Sequence, residues 1–83
     1  MTHHNKLTFF LNNEEFNAFK AAAYAARFRI EYAPFCNSDG AFNSDAWNIK
    51  KGGEFGRLYK QSANSYRIGV GSETELANIL LSL

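Results

Sequence analysis

This sequence is short of the residues that do covalent chemistry. It holds a single cysteine, Cys36, so no intrachain disulfide can form, and a lone thiol suits a reducing, cytoplasmic setting. Its two histidines are neighbours, His3 and His4, on what reads as a flexible tail over residues 1–5. A mobile pair of that kind holds the base of a Ser-His or Cys-His couple badly, and it lacks the fixed four-ligand cage of structural zinc. Long apolar runs are missing as well. Nothing approaches the ~18 residues of a membrane-spanning helix, and Met1-Thr2-His3-His4-Asn5-Lys6 has no apolar core of a secretory signal. These scarcities argue against a disulfide scaffold, a zinc module, a membrane span and a nucleophilic hydrolase. The expectation is a cytoplasmic, non-enzymatic chain with no metal and no cofactor.

What the sequence has in quantity is aromatic side chains: eight Phe, four Tyr and one Trp among 83 residues, 46% of which are apolar. Each large apolar group contributes roughly 1.5–3 kcal/mol when fully buried. That supply holds a single domain over residues 1–83 without covalent staples.

The apolar period changes along the chain. Lys6 to Leu11 alternates, with Leu7, Phe9 and Leu11 on one face and Thr8 and Phe10 on the other, as a strand does. Asn12 with Glu15 three residues on is the Asn form of a capping box. It opens a helix from about Asn13 to Phe28, with Phe16, Phe19, Ala23 and Ala26 on its buried face. Alternation returns over Arg27–Tyr32 until Pro34. Residues 33–45 are rich in Asn, Ser, Asp and Gly, with Asn37-Ser38-Asp39-Gly40 as the expected turn. Strands are expected over Ala46–Lys51, Phe55–Gln61 and Tyr66–Val70, separated by Gly52-Gly53 and Ser62-Ala63-Asn64-Ser65. Ser72 as N-cap and Glu75 at N3 start a last helix that buries Leu76, Ile79, Leu80 and Leu83, with its C-terminus docked. The fold class is therefore α+β: a two-layer, mainly antiparallel sheet of about four strands with two helices on one face, in the order β-α-β-β-β-(β)-α.

Several motifs fail on their chemistry. Cys36 has no cation or helix N-terminus near it in sequence to lower its pKa, and reads as a partly buried, inert thiol. Setting Gly40 as the sixth residue of a calcium loop places Phe35 and Ala46 where acidic ligands belong. Gly69-Val70-Gly71-Ser72 precedes a helix N-terminus, but Glu73 and Glu75 in the first turn repel a phosphate.

Two surfaces stand out. Residues 47–71 carry Lys50, Lys51, Arg57, Lys60 and Arg67 against Glu54 alone, a surplus of four positive charges, whereas the whole chain carries only +1. Those cations are interleaved with Trp47, Tyr59 and Tyr66, the ingredients of a nucleic-acid surface. The same pattern also describes a solvated sheet face, on which Lys guards against edge pairing. The segment 33–45 sets Phe35 and Phe42 in polar surroundings, either as interface anchors or tucked beneath the loop.

From Asn13 onward the order helix, three strands, helix resembles the double-stranded-RNA-binding domain. That family reads RNA partly through a basic N-terminus on its second helix, where this chain has Ser72-Glu73-Thr74-Glu75-Leu76, so the likeness extends to topology and not to function. In length and organisation the chain also resembles small phage-encoded inhibitors of host defence, the anti-CRISPR proteins. That resemblance implies a binding protein that occupies a surface of a larger nucleic-acid-handling protein complex. The expected contacts are Phe35, Asp39 and Phe42 in the loop, with Lys50, Lys51 and Arg57 on the hairpin. Direct nucleic-acid binding through the basic hairpin 47–71 is the alternative. An unpaired strand edge leaves both a monomer and a homodimer open.

Overall fold

The computed structural model describes residues 6–83. The tail expected over residues 1–5, His3 and His4 included, lies outside the described residues. In chain order the elements are β1 (Lys6–Leu11), α1 (Asn13–Ala25), β2 (Arg29–Tyr32), β3 (Phe35–Cys36), β4 (Phe42–Ser44), β5 (Ala46–Lys51), β6 (Glu54–Ser62), β7 (Ser65–Gly71) and α2 (Glu75–Leu81).

The α+β class stands, with a larger sheet than expected. Five strands, not about four, form one antiparallel sheet in the order β1-β7-β6-β5-β2. The meander β5–β6–β7 is built by two tight turns, and Gly52 takes a φ of 56° in the first of them. The two earlier strands then close its sides, β1 against β7 and β2 against β5. α1 carries the chain from one edge of the sheet to the other. Both helices lie on the same face, which satisfies the apolar side of every strand at once.

That covered face is the core. Leu11, Leu58, Ile68 and Val70 from the strands meet Phe16, Phe19 and Ala23 of α1 and Leu76, Ala77 and Leu80 of α2. Tyr66 stacks on Phe16 with ring centroids 4.0 Å apart, and Trp47 leans on Phe16 at 5.1 Å. Gly56 lets α2 sit close to β6: a Cβ there would lie 3.2 Å from Leu76 Cδ1 and 3.3 Å from Ile68 Cδ1.

The helix ends differ from expectation in an instructive way. The Asn12 capping box forms as read, with Asn12 Oδ1 accepting from the Glu15 N–H and Glu15 Oε1 accepting from the Asn12 N–H. α1 stops at Ala25 rather than near Phe28. Arg27 adopts φ 69°, its N–H donates to the Tyr24 carbonyl, and the Phe28 N–H donates to the Ala23 carbonyl. These are the two bonds of a Schellman motif, with Phe28 buried against the helix end. α2 is capped by Thr74 and not by Ser72: Thr74 Oγ1 accepts from the Ala77 N–H at 3.1 Å. The two remaining first-turn donors are satisfied from the sheet, because the Glu54 carboxylate accepts from the N–H groups of Glu75 (3.0 Å) and Leu76 (3.2 Å). At the other end of α2, Leu83 is 44% exposed rather than docked.

Residues 33–45 are also more ordered than a loop. β3 and β4 pair as a short antiparallel ribbon with a register shift between Phe35 and Cys36. Its tip is the expected turn, closed by the Gly40 N–H donating to the Asn37 carbonyl at 2.8 Å and by Asp39 Oδ1 accepting from the Ala41 N–H at 2.9 Å. Among the described residues no helix is long and apolar enough to cross a membrane.

Candidate functional site

Side chains on a strand alternate between faces, and residues directly opposite one another across a ladder share a face. The register therefore maps the side of the sheet that no helix covers. One row across it runs Ala46, Tyr59, Arg67, Phe10; the next runs Glu31, Asn48, Arg57, Gly69, Thr8. A third joins Arg29, Lys50 and Phe55, and Lys6 stands opposite Gly71. This face thus holds the cations Lys6, Arg29, Lys50, Arg57 and Arg67 against the carboxylates of Glu31 on β2 and Asp45 beside the ribbon. It also exposes large rings, with Phe10 64% and Phe55 54% accessible.

At its centre Tyr59 organises two guanidinium groups. Arg57 Cζ lies 5.2 Å and Arg67 Cζ 5.3 Å from the Tyr59 ring centroid. Arg57 is pinned, donating to Asn48 Oδ1 at 2.6 Å and to the Ala33 carbonyl at 3.0 Å. The second of those bonds also fastens the chain entering the ribbon to the sheet. Phe35 then sets its ring edge-on to Tyr59, 5.8 Å between centroids. Phe42, one strand further out, is 62% exposed.

Two depressions flank this centre. One, of ≈ 640 Å³, lies between the ribbon and the ends of β6 and β7, with Phe35, Phe42 and Asp45 on its walls. The other, of ≈ 370 Å³, lies over β1, β6 and β7, with Lys6, Thr8, Phe55 and Gly69 around it. Tyr59 and Arg67 line both, so the two form one track across the sheet. The carboxylates of this side sit toward its margin and are engaged. Glu31 accepts from Lys50 at 2.9 Å, and that hydrogen bond and charge hold its carboxyl below the usual carboxylate range. Asp45 Oδ1 accepts from the Tyr32 hydroxyl at 2.6 Å, which pushes the phenol above its ordinary value.

The structure brings four of the sequence-derived contacts together on this side: Phe35, Phe42, Lys50 and Arg57. Asp39 is spent on the ribbon turn. Lys51 points the other way, because consecutive strand residues face opposite sides; it pairs with Glu75 at 2.8 Å and lies 5.2 Å over the Phe28 ring on the helix side. Lys60 is also on the helix side, 5.9 Å over Tyr66. Cys36 is exposed, not partly buried, because its two-residue strand stands clear of the core. The helix N-terminus ruled out as a phosphate cradle is in fact filled by Glu54. Sequence reading passed over Lys6, Phe10, Phe55 and Arg67 as contacts. Their signal was the phase of the alternation: each is out of step with the buried residues of its own strand.

This is a two-layer α+β sandwich with one helical layer and one helix-free, basic and aromatic sheet face bordered by the β3–β4 ribbon. No family model, curated protein or solved structure matches the chain.

Proposed function

We propose that the chain is a non-enzymatic binding protein that acts as an inhibitor or regulator by laying the uncovered face of its sheet on a larger nucleic-acid-handling complex. The observation that supports this reading is the continuity of the surface. The Phe-bearing ribbon and the basic hairpin, distant in sequence, are fastened together through Arg57 and Tyr59 into one side of the molecule. Exposed rings among arginines are the composition of interface anchors. A domain of this size supplies the ~800 Å² per partner of a standard interface from that one side. Small phage-encoded inhibitors of host defence, which the chain resembles in length and organisation, work by such occupation.

The test is co-purification with immobilised chain from nuclease-treated host lysate, read by mass spectrometry. A nucleic-acid-handling partner is expected on the native chain, and it should be lost with Phe42→Ala and with Arg67→Glu. It should be kept with Tyr24→Ser, a change on the exposed side of α1, where Tyr24 is 58% accessible. Retention by all variants alike, or by none including the native chain, refutes the reading.

A further inference from the structure

We infer that the track across β6, β7 and β1 is a binding site for single-stranded nucleic acid. The inference rests on the uncovered face being the working surface, and it names the chemistry that this face takes. Charge complementarity is the first ground: five cations against two carboxylates, Glu31 and Asp45, both already engaged, attract a polyanion. The division of labour among those cations is the second. Arg57 is held by Asn48 and Ala33, and Lys50 is paired with Glu31, so both are committed within the fold. Lys6 and Arg67 border the groove from two strands, and the Tyr59 ring orients the Arg67 guanidinium.

The third ground is the rings. Phe10 and Phe55 are more than half exposed on the same face as those cations, on strands that are otherwise filled with polar or small residues outward. Each offers a flat apolar surface on which an unpaired base stacks, whatever its identity. A duplex hides its base faces in a stack, so exposed rings can stack only on bases that are unpaired. Phe10 and Phe55 stand on the sheet strands β1 and β6 themselves and not on the β3–β4 ribbon, which suits a strand whose bases are free. Gly69 adds the fourth ground. It sits between Arg57 and Thr8 on the groove floor, where a Cβ would meet nothing closer than Lys6 Cε at 3.5 Å. Only the flexible Lys6 stem lies over this strand glycine, and when it swings aside a ligand can approach the backbone.

Fluorescence anisotropy with labelled oligo-dT and oligo-rU, a hairpin duplex and heparin as competitors, provides the test. Binding of the single strands should weaken as salt rises, with a log–log slope that falls by about 0.7 for each of Arg67→Gln and Lys6→Gln. Phe10→Ala and Phe55→Ala should each weaken binding roughly tenfold or more at constant salt. Gly69→Val should fill the floor and reduce affinity while the thermal melt stays at or above that of the native chain, since Val favours a strand. Lys51→Gln, on the helix side, should change nothing. The inference is overturned if neither oligonucleotide binds at about 50 mM salt. It is overturned equally if heparin and duplex compete as well as the single strand while both Phe variants bind normally, which is charge capture alone. Retention of the lysate partner after nuclease treatment, with no oligonucleotide binding, would overturn this inference and leave the proposed function standing.

Discussion

Replacing Arg27 by glycine should stabilise the protein. Arg27 is an exposed residue with φ 69°, in the left-handed region that an L side chain enters at a cost of roughly 1–2 kcal/mol. It is held there by its neighbours: the Phe28 N–H must reach the Ala23 carbonyl for Phe28 to bury its ring, and that forces the turn at Arg27. Glycine takes the same φ without the steric cost, but it gives the unfolded chain extra freedom worth about 0.5–1 kcal/mol. The difference leaves Arg27→Gly more stable by roughly 0.5–1 kcal/mol. At about 4–8 °C per kcal/mol for a domain of this size, Tm should rise by roughly 2–8 °C. Thermal melts followed by circular dichroism, with urea midpoints as a second measure, would read it. Arg27→Ala is the control, because it keeps the strained φ and removes only the side chain; its Tm should not rise. A fall in Tm for Arg27→Gly refutes the reasoning, and an equal rise in both variants shows that the charge, and not the backbone, was the source.

Three other outcomes follow from the geometry. Glu54→Ala removes the acceptor for two first-turn N–H groups of α2 and should cost about 1–2 kcal/mol, with Thr74→Ala costing a similar amount at the same helix end; urea denaturation of both and of the double variant measures it. Gly56→Val should push α2 off β6 and cost about 1–3 kcal/mol, because even the first added carbon meets Leu76 and Ile68 closely. The Tyr32 phenol is raised by its bond to Asp45, so the stability that bond gives is fully present below the ordinary phenol value of about 10 and is lost as pH climbs through the folded value. Absorbance titration should show a late-ionising contribution that disappears in Tyr32→Phe, whose alkaline loss of Tm should be shallower.

Much of this architecture was legible because period-two and period-3.6 patterns survive wherever one face is buried. Leu7, Phe9 and Leu11 identify β1 and its inward side at a glance, and so do Tyr66, Ile68 and Val70 for β7. The ribbon was not legible. β3 has two residues and β4 three, too short for any period to show, and their turn-forming neighbours describe a loop equally well. The caps divided along the same line. Asn12 with Glu15 is a local device and reads directly. The cap of α2 depends on Glu54, about twenty residues away and on another element, which no local pattern encodes. The site was half readable. Charge and aromatic content pointed to the hairpin, but a linear count merged Lys50 with Lys51, which the strand places on opposite sides. It also left out Lys6 and Phe10, which reach that face only because β1 pairs with β7.

That last pairing orders the events of folding. Lys6 meets Gly71 and Leu11 meets Tyr66, so β1, the earliest of the described strands, pairs with β7, the latest. The meander β5–β6–β7 closes through two short turns, whereas β1 closes a much longer loop and is expected to pair after that platform exists. Until then Leu7, Phe9 and Leu11 have no sheet to cover them. At high concentration, an early strand waiting in this way is the element that two copies would exchange. The corner of the basic track that β1 supplies, with Lys6, Thr8 and Phe10, is therefore expected to be the last part of the surface to assemble.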